Sequence, residues 1–161
     1  MEDNEYIWLA GFIDANGKFR FRRYHDRLFP YFSMGVNSRF KDVLLKIHSM
    51  LEKCGGCYIM GKNIELRIRN IKDIFKLIYT FDKCPLKSKS DVYSLWKEGI
   101  YMVKNKSDKT EEGRKKMMKI AEEVNGTSRV LRRLLPNEKE SIIHPIRIDK
   151  DDYPNSFDFD V

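Results

Sequence analysis

Twice within the first 80 residues the spacing of apolar side chains switches from the 3.6-residue period of a helix to the two-residue period of a strand. No other feature restricts the fold as much. EYIWLAGFIDA (5–15) is apolar almost all round and predicts a short helix buried on more than one side. In KFRFRR (18–23), Phe19 and Phe21 alternate with Lys18, Arg20 and Arg22, and in YFSMGVN (31–37) Phe32, Met34 and Val36 alternate with Tyr31, Ser33, Gly35 and Asn37. These read as two strands of a hairpin closed through YHDRLFP (24–30). From Lys41 the helical period returns with Val43, Leu44 and Ile47, ending at Cys54-Gly55-Gly56. CYIM (57–60) and NIELRIR (63–69) repeat the strand pattern around a turn at Gly61. Ile71, Ile74, Phe75 and Ile78 then mark an amphipathic helix that breaks before Pro85. Two more helices follow, one carrying Val92, Leu95, Trp96, Ile100 and Val103, the other capped by Thr110 and ending at Asn125-Gly126.

This order predicts an α+β fold, αββαββα, in which helices cover one face of an antiparallel four-stranded sheet and C-terminal helices are appended. At 161 residues one domain is expected, spanning 1–136, with an arm or acidic tail at 137–161. The uncovered sheet face collects Lys18, Arg20, Arg22, Tyr31, Asn37, Lys62, Arg67 and Arg69. Exposed strand faces ordinarily mix the two signs of charge, yet residues 18–27 hold five basic side chains and one Asp. The net charge is +7, and because residues 149–161 contain five Asp and one Lys, the rest of the chain carries +11. A body this basic suits a polyanion, since each neutralised phosphate releases condensed counterions. Composition alone does not separate DNA from RNA or from an acidic protein.

Other chemistries find little support. No stretch approaches the roughly 18 to 20 apolar residues of a membrane span, and the N-terminus, MEDNEYIW, is acidic. A soluble, intracellular protein with no membrane partner is expected. Cys54, Cys57 and Cys84 are odd in number, and a single CGGC without a second pair reads as reduced thiols beside a turn. His25, His48 and His144 form no metal-spaced set.

At the end of the first helix stands L-A-G-F-I-D-A-N-G, Leu9 to Gly17. It resembles the LAGLIDADG signature of homing endonucleases, agreeing at Leu9, Ala10, Gly11, Ile13, Asp14, Ala15 and Gly17. VNSRFKDVLLKI (36–47), KCGGCYI (53–59) and PLKSKSDVYSLWKEGIYMVKNKSDKTEEG (85–113) are similar to the family's later segments, so the resemblance covers about residues 5–126. Only one copy of the motif is present. The single-motif type implies a homodimer in which two such helices cross at a two-fold axis, with Leu9, Ala10, Gly11, Ile13 and Asp14 at the interface. Small residues there let the helices approach closely. The two sheets would then straddle a near-palindromic duplex DNA site, reading the major groove through Lys18, Arg20, Arg22, Arg23, Tyr31, Ser33, Asn37, Arg39, Lys62, Glu65, Arg67 and Arg69.

The resemblance also implies Mg²⁺-dependent phosphodiester cleavage, the metal being held by the acid at the eighth motif position and by a neighbouring backbone carbonyl. In this chain the eighth position is Asn16 and the carbonyl belongs to Ala15. An amide keeps the shape of the acid but loses its charge, and Mg²⁺ prefers carboxylate oxygen. Weak metal binding and weak or absent cleavage are therefore expected. The family's supporting polar residue falls at Ser38 or Arg39 and its activating lysine at Lys89, with Lys87 second. Asp14 stays acidic and is expected to brace the helix. The alternatives are an intron-RNA maturase or a non-cleaving DNA-binding regulator on the same scaffold.

Overall fold

The computed structural model describes residues 3–133 apart from Asp26 and Cys84, together with Ile146–Arg147. Its elements run α1 (Asp3–Asn16), β1 (Gly17–Tyr24), β2 (Arg27–Asn37), α2 (Lys41–Met50), β3 (Gly56–Met60), β4 (Asn63–Ile68), α3 (Ile71–Lys83), α4 (Ser90–Lys104), α5 (Glu111–Arg133) and β5 (Ile146–Arg147). The expected αββαββα order is present. All strand neighbours are antiparallel, in the order β1-β2-β4-β3-β5. The four expected strands are extended at one edge by β5, whose Ile146 and Arg147 pair with Ile59 and Tyr58. The acidic tail at 149–161 lies outside the described residues.

Alternation along the strands sets the two faces. Phe19, Phe32 and Ile68 form one inward row across β1, β2 and β4, and Met34, Leu66 and Cys57 form the next across β2, β4 and β3. Against them pack Ile74, Ile78 and Phe81 of α3, Tyr93 and Trp96 of α4, and Leu44 and Ile47 of α2. Phe19 is the hub, its ring 5.0 Å from Trp96, 5.3 Å from Phe32, 5.5 Å from Tyr93 and 5.9 Å from Phe81. Such rings gain from tilted and edge contacts as well as from burial. The Trp96 indole N–H donates to the Arg20 carbonyl at 3.0 Å, so the buried ring also ties α4 to β1.

Three details differ from the sequence reading. The hairpin is longer than expected, with β1 and β2 meeting at His25, whose φ of 49° supplies the tight turn. Asn125-Gly126 does not end α5, which continues to Arg133. The Asn125 side chain instead pairs with the open backbone of β1, accepting from Phe21 N–H at 3.1 Å and donating to Phe21 O at 2.9 Å. This satisfies an edge-strand residue that has no partner strand on that side. Third, α1 is not buried on several sides: Leu9 and Ile13 are wholly covered, whereas Ile7 is 70% and Trp8 41% exposed.

The α2–β3 turn requires its glycine. Gly55 has φ +73°, and a Cβ there would collide with the Arg67 carbonyl on β4. Its N–H donates to the Asp73 carboxylate at 3.1 Å, binding the turn to α3. Beside it Cys54 and Cys57 are buried. Burial, with Asp73 nearby, pushes the Cys54 thiol up to about 11, so it stays protonated and unreactive.

Candidate nucleic-acid interface and active site

Antiparallel register places the basic residues in rows on the sheet face that the helices leave open. Lys18, Ser33 and Arg67 stand side by side on β1, β2 and β4, and Arg20 is opposite Tyr31 in the next row. Arg22 follows opposite Phe29. Arg69 lies over the Tyr31 ring at 5.6 Å, and Arg67 over Tyr58 at 5.3 Å. Stacking on rings and on neighbours holds these long side chains flat against the sheet. The Nε of Arg20 is buried without a hydrogen-bond partner among the described residues.

Not every expected residue on this face is free to reach DNA. Arg23 shares the parity of Phe19 and Phe21, so it belongs to the opposite side of β1, where its Nε donates to the His25 carbonyl at 3.1 Å. Ser33 has the correct parity but is only 2% exposed. Asn37 caps the short 3-10 turn Ser38–Phe40, accepting from the Arg39 N–H at 3.2 Å and from Arg39 Nε at 3.3 Å. Lys62 is exposed in the β3–β4 turn, and its carbonyl accepts from Ser38 N–H at 2.9 Å. Ser38 is thereby anchored at the β2–α2 corner.

At that end the chain builds a clasp. The Asp14 carboxylate accepts three backbone N–H groups from the loop before α4: Lys87 at 2.7 Å, Ser88 at 3.3 Å and Lys89 at 3.1 Å. The loop then turns Lys89 back, so that its ammonium donates to the carbonyls of Ile13, at 3.2 Å, and of Asp14. A cation is favoured there because the last helical carbonyls carry the negative end of the helix dipole. Burial pulls the Lys89 pKa down, Asp14 opposes the shift and Lys18 adds to it. Within this chain Asp14 braces the loop before α4. Lys87 contributes its backbone to the clasp, and Lys89 is the lysine that the fold brings to the motif.

Asn16 occupies the last position of α1, with Ala15 exposed beside it. Its amide nitrogen donates to Phe12 O, one turn back, at 3.2 Å. A divalent cation here would meet one neutral amide oxygen, an Asp14 already engaged by three N–H groups, and the ammonium of Lys89. Among the described residues no three His, Cys, Asp or Glu side chains converge. This donor set does not fit a Mg²⁺ ion, which needs carboxylate ligands.

The exposed side of α1 differs from the expected interface. Leu9 and Ile13 are 0% exposed and belong to this chain's core, and Ala10 packs against that core. Gly11 is exposed, and a Cβ there would meet nothing within 4 Å. Ile7 and Trp8 flank it, with the Trp8 ring 5.6 Å from Phe12 and beneath the Lys46 ammonium at 5.4 Å. The all-round apolar character of residues 5–15 was the available signal for this second face.

Fold and site together define a helix-braced sheet that presents cations to a polyanion. The sequence matches the family described as LAGLIDADG endonuclease over residues 9–101, more than half of the chain, and the protein belongs to that family. Its fold is similar to that of the homing endonuclease I-TnaI, with TM-score 0.68 and 25% identity over 81% of this chain and 97% of that one. It is similar also to the LAGLIDADG meganuclease I-AabMI bound to uncleaved DNA, with TM-score 0.70 and 26% identity over 89% of this chain but 52% of that one. I-GzeII in complex with its DNA target gives TM-score 0.65 at 22% identity over 89% and 54%, a likeness of fold. The chain thus spans nearly all of I-TnaI and about half of I-AabMI and I-GzeII. No curated protein matches this sequence.

If the Asp14 clasp holds the loop, Asp14→Asn should lower the unfolding free energy by about 1–3 kcal/mol at about pH 7, since it removes a charged acceptor from three donors. Burial would raise the Asp14 pKa, but the three backbone donors outweigh it and hold it below 3.8. The wild-type advantage should therefore be complete above 3.8 and vanish as pH falls through the lower folded value. Urea denaturation as a function of pH measures this, and a difference independent of pH would contradict it.

Proposed function

We propose that two copies of this chain bind a near-palindromic duplex DNA site, on an endonuclease scaffold whose cleavage is weak or absent because Asn16 stands at the metal-ligand position. The observation that carries this reading is the row of cations on the open sheet face, running up to an α1 terminus that holds a lysine and no free carboxylate. Strands laid in the major groove meet base edges whose donor and acceptor pattern is distinct for each base pair. Lys18, Arg20, Arg22 and Arg69 neutralise phosphates, which makes binding fall steeply with salt. Lys89, fixed by the clasp, lies close to the backbone passing the α1 terminus and polarises a phosphate oxygen there. Asn16 supplies no base for hydrolysis, because its amide neither ionises nor takes up a proton from water. DNA-bound relatives such as I-AabMI support the substrate class.

The partner copy would seat on the open face of α1. Ile7 and Trp8 form an apolar strip beside Gly11, whose missing side chain allows close helix approach. Because a side chain at Gly11 has open space in the single chain, Gly11→Arg should fold normally and sediment as a monomer where wild type sediments as a dimer. Equal sedimentation of the two would overturn the dimer face.

Asn16→Asp tests the scaffold. In Mg²⁺, on a randomised duplex library, the reverted protein should cleave a defined sequence and the protein as it stands should not. Equal cleavage by both would refute the disabling role of Asn16. Cleavage by neither, with duplex DNA still bound, would assign the chain to binding without cleavage. Preference for folded RNA over duplex DNA would replace the reading with that of a maturase.

A further inference from the structure

One acid interrupts the cationic face, and it is not isolated. Glu65 and Arg67 lie two residues apart on β4 and point the same way. Arg67 Nε and Nη2 donate to the same Glu65 oxygen at 3.0 and 2.7 Å. Beneath the guanidinium is the Tyr58 ring, 5.3 Å from its central carbon, on neighbouring β3. Tyr58 is directly opposite Glu65, and Gly56 directly opposite Arg67. A Cβ at Gly56 would lie 3.2 Å from the Tyr58 hydroxyl oxygen and 3.4 Å from its ring carbons, so glycine leaves room for the ring that supports the arginine. With only 13% and 21% of their side chains exposed, Arg67 and Glu65 are not a mobile surface pair.

The bonding pattern commits one edge of the guanidinium and leaves another. Glu65 takes the Nε–Nη2 edge. Among the described residues the Nη1–Nη2 edge meets only a weak acceptor, Met60 Sδ, 3.4 Å from Nη2. That free edge is a planar fork of two donors, complementary to the N7 and O6 acceptors of guanine in the major groove. The Glu65 carboxylate meanwhile repels phosphate oxygens, so this arginine is steered from the DNA backbone toward a base edge. Lys18, two strands away in the same row, stands opposite Ser33 rather than beside an acid of the sheet, and is left as a phosphate contact.

Resting on the duplex-DNA reading above, we propose that Arg67, held by Glu65 and Tyr58, reads one guanine in each half-site, with Glu65 as the positioning residue. The row containing Arg67 also contains Lys18, two residues after Asn16, which puts the guanine toward the centre of the site.

Selection of a randomised duplex library by the full chain, wild type beside Glu65→Gln, Arg67→Gln and Arg22→Gln, tests this. Wild type should enrich guanine at one position per half-site. Arg67→Gln should abolish that preference, and the nearly isosteric Glu65→Gln should weaken it roughly tenfold or more, with other positions unchanged in both. Arg22→Gln should lower affinity for all sequences without moving any base preference. Unchanged base preferences in both the Arg67 and Glu65 variants would overturn the assignment, as would a Glu65→Gln protein whose preferences weaken equally at every position. Failure of wild type to enrich any sequence would overturn the DNA reading itself.

Discussion

One carboxylate fixes the geometry on which the rest of the site depends. Asp14 reaches the backbone of Lys87, Ser88 and Lys89, more than seventy residues further along the chain. Three donors on one partly exposed carboxylate hold the loop at three successive residues, and losing the acceptor would leave several N–H groups without it at once. From that anchorage Lys89 folds onto the carbonyl end of α1, and the same helix end delivers Asn16 and starts β1. The motif is therefore first a structural joint between α1, the sheet and α4. Its chemistry follows from what the joint brings together.

What it brings together is unbalanced in charge. The sheet carries cations in register, α1 ends beside an ammonium, and the position where an acid would gather a metal holds an amide. Such an arrangement retains the long-range attraction for a polyanion and lacks the local negative charge that hydrolysis by metal-bound water needs. On the proposed reading binding and cleavage rest on different residues, and a substitution at position 16 would separate them. The exposed Ile7, Trp8 and Gly11 lie on the side of α1 away from the core, so pairing of two chains would bring both sheets to one duplex without disturbing Leu9 or Ile13.

Much of this was legible from residue order. The switches between helical and strand periods located every element through α4, because Phe19, Phe32, Met34, Leu66 and Ile68 each alternate cleanly with polar neighbours. Family membership was legible from Leu9 to Gly17. Side-chain assignments were harder wherever long-range contacts decide them. Leu9 and Ile13 were expected at an interface because the motif was read as one small-residue surface, yet a helix has two sides and the sheet claims theirs. Arg23 was grouped with Arg20 and Arg22 by charge, although the two-residue period puts it on the other face. Asn125 looked like a helix end, a local role, and instead closes the open edge of β1. The pairing of Tyr58 with the Arg67–Glu65 unit depends on register between β3 and β4, which no local pattern reveals.

We propose that duplex DNA lies on the open sheet face beside the end of α1. Hydrogen–deuterium exchange of the full chain, with and without a duplex selected for binding, tests it most directly. Protection should concentrate in β1, β2, β4 and the loop at 87–89, with the outer surfaces of α3 and α5 unchanged. Protection confined to the helical layer, with the sheet strands exchanging as in the free protein, would contradict the account.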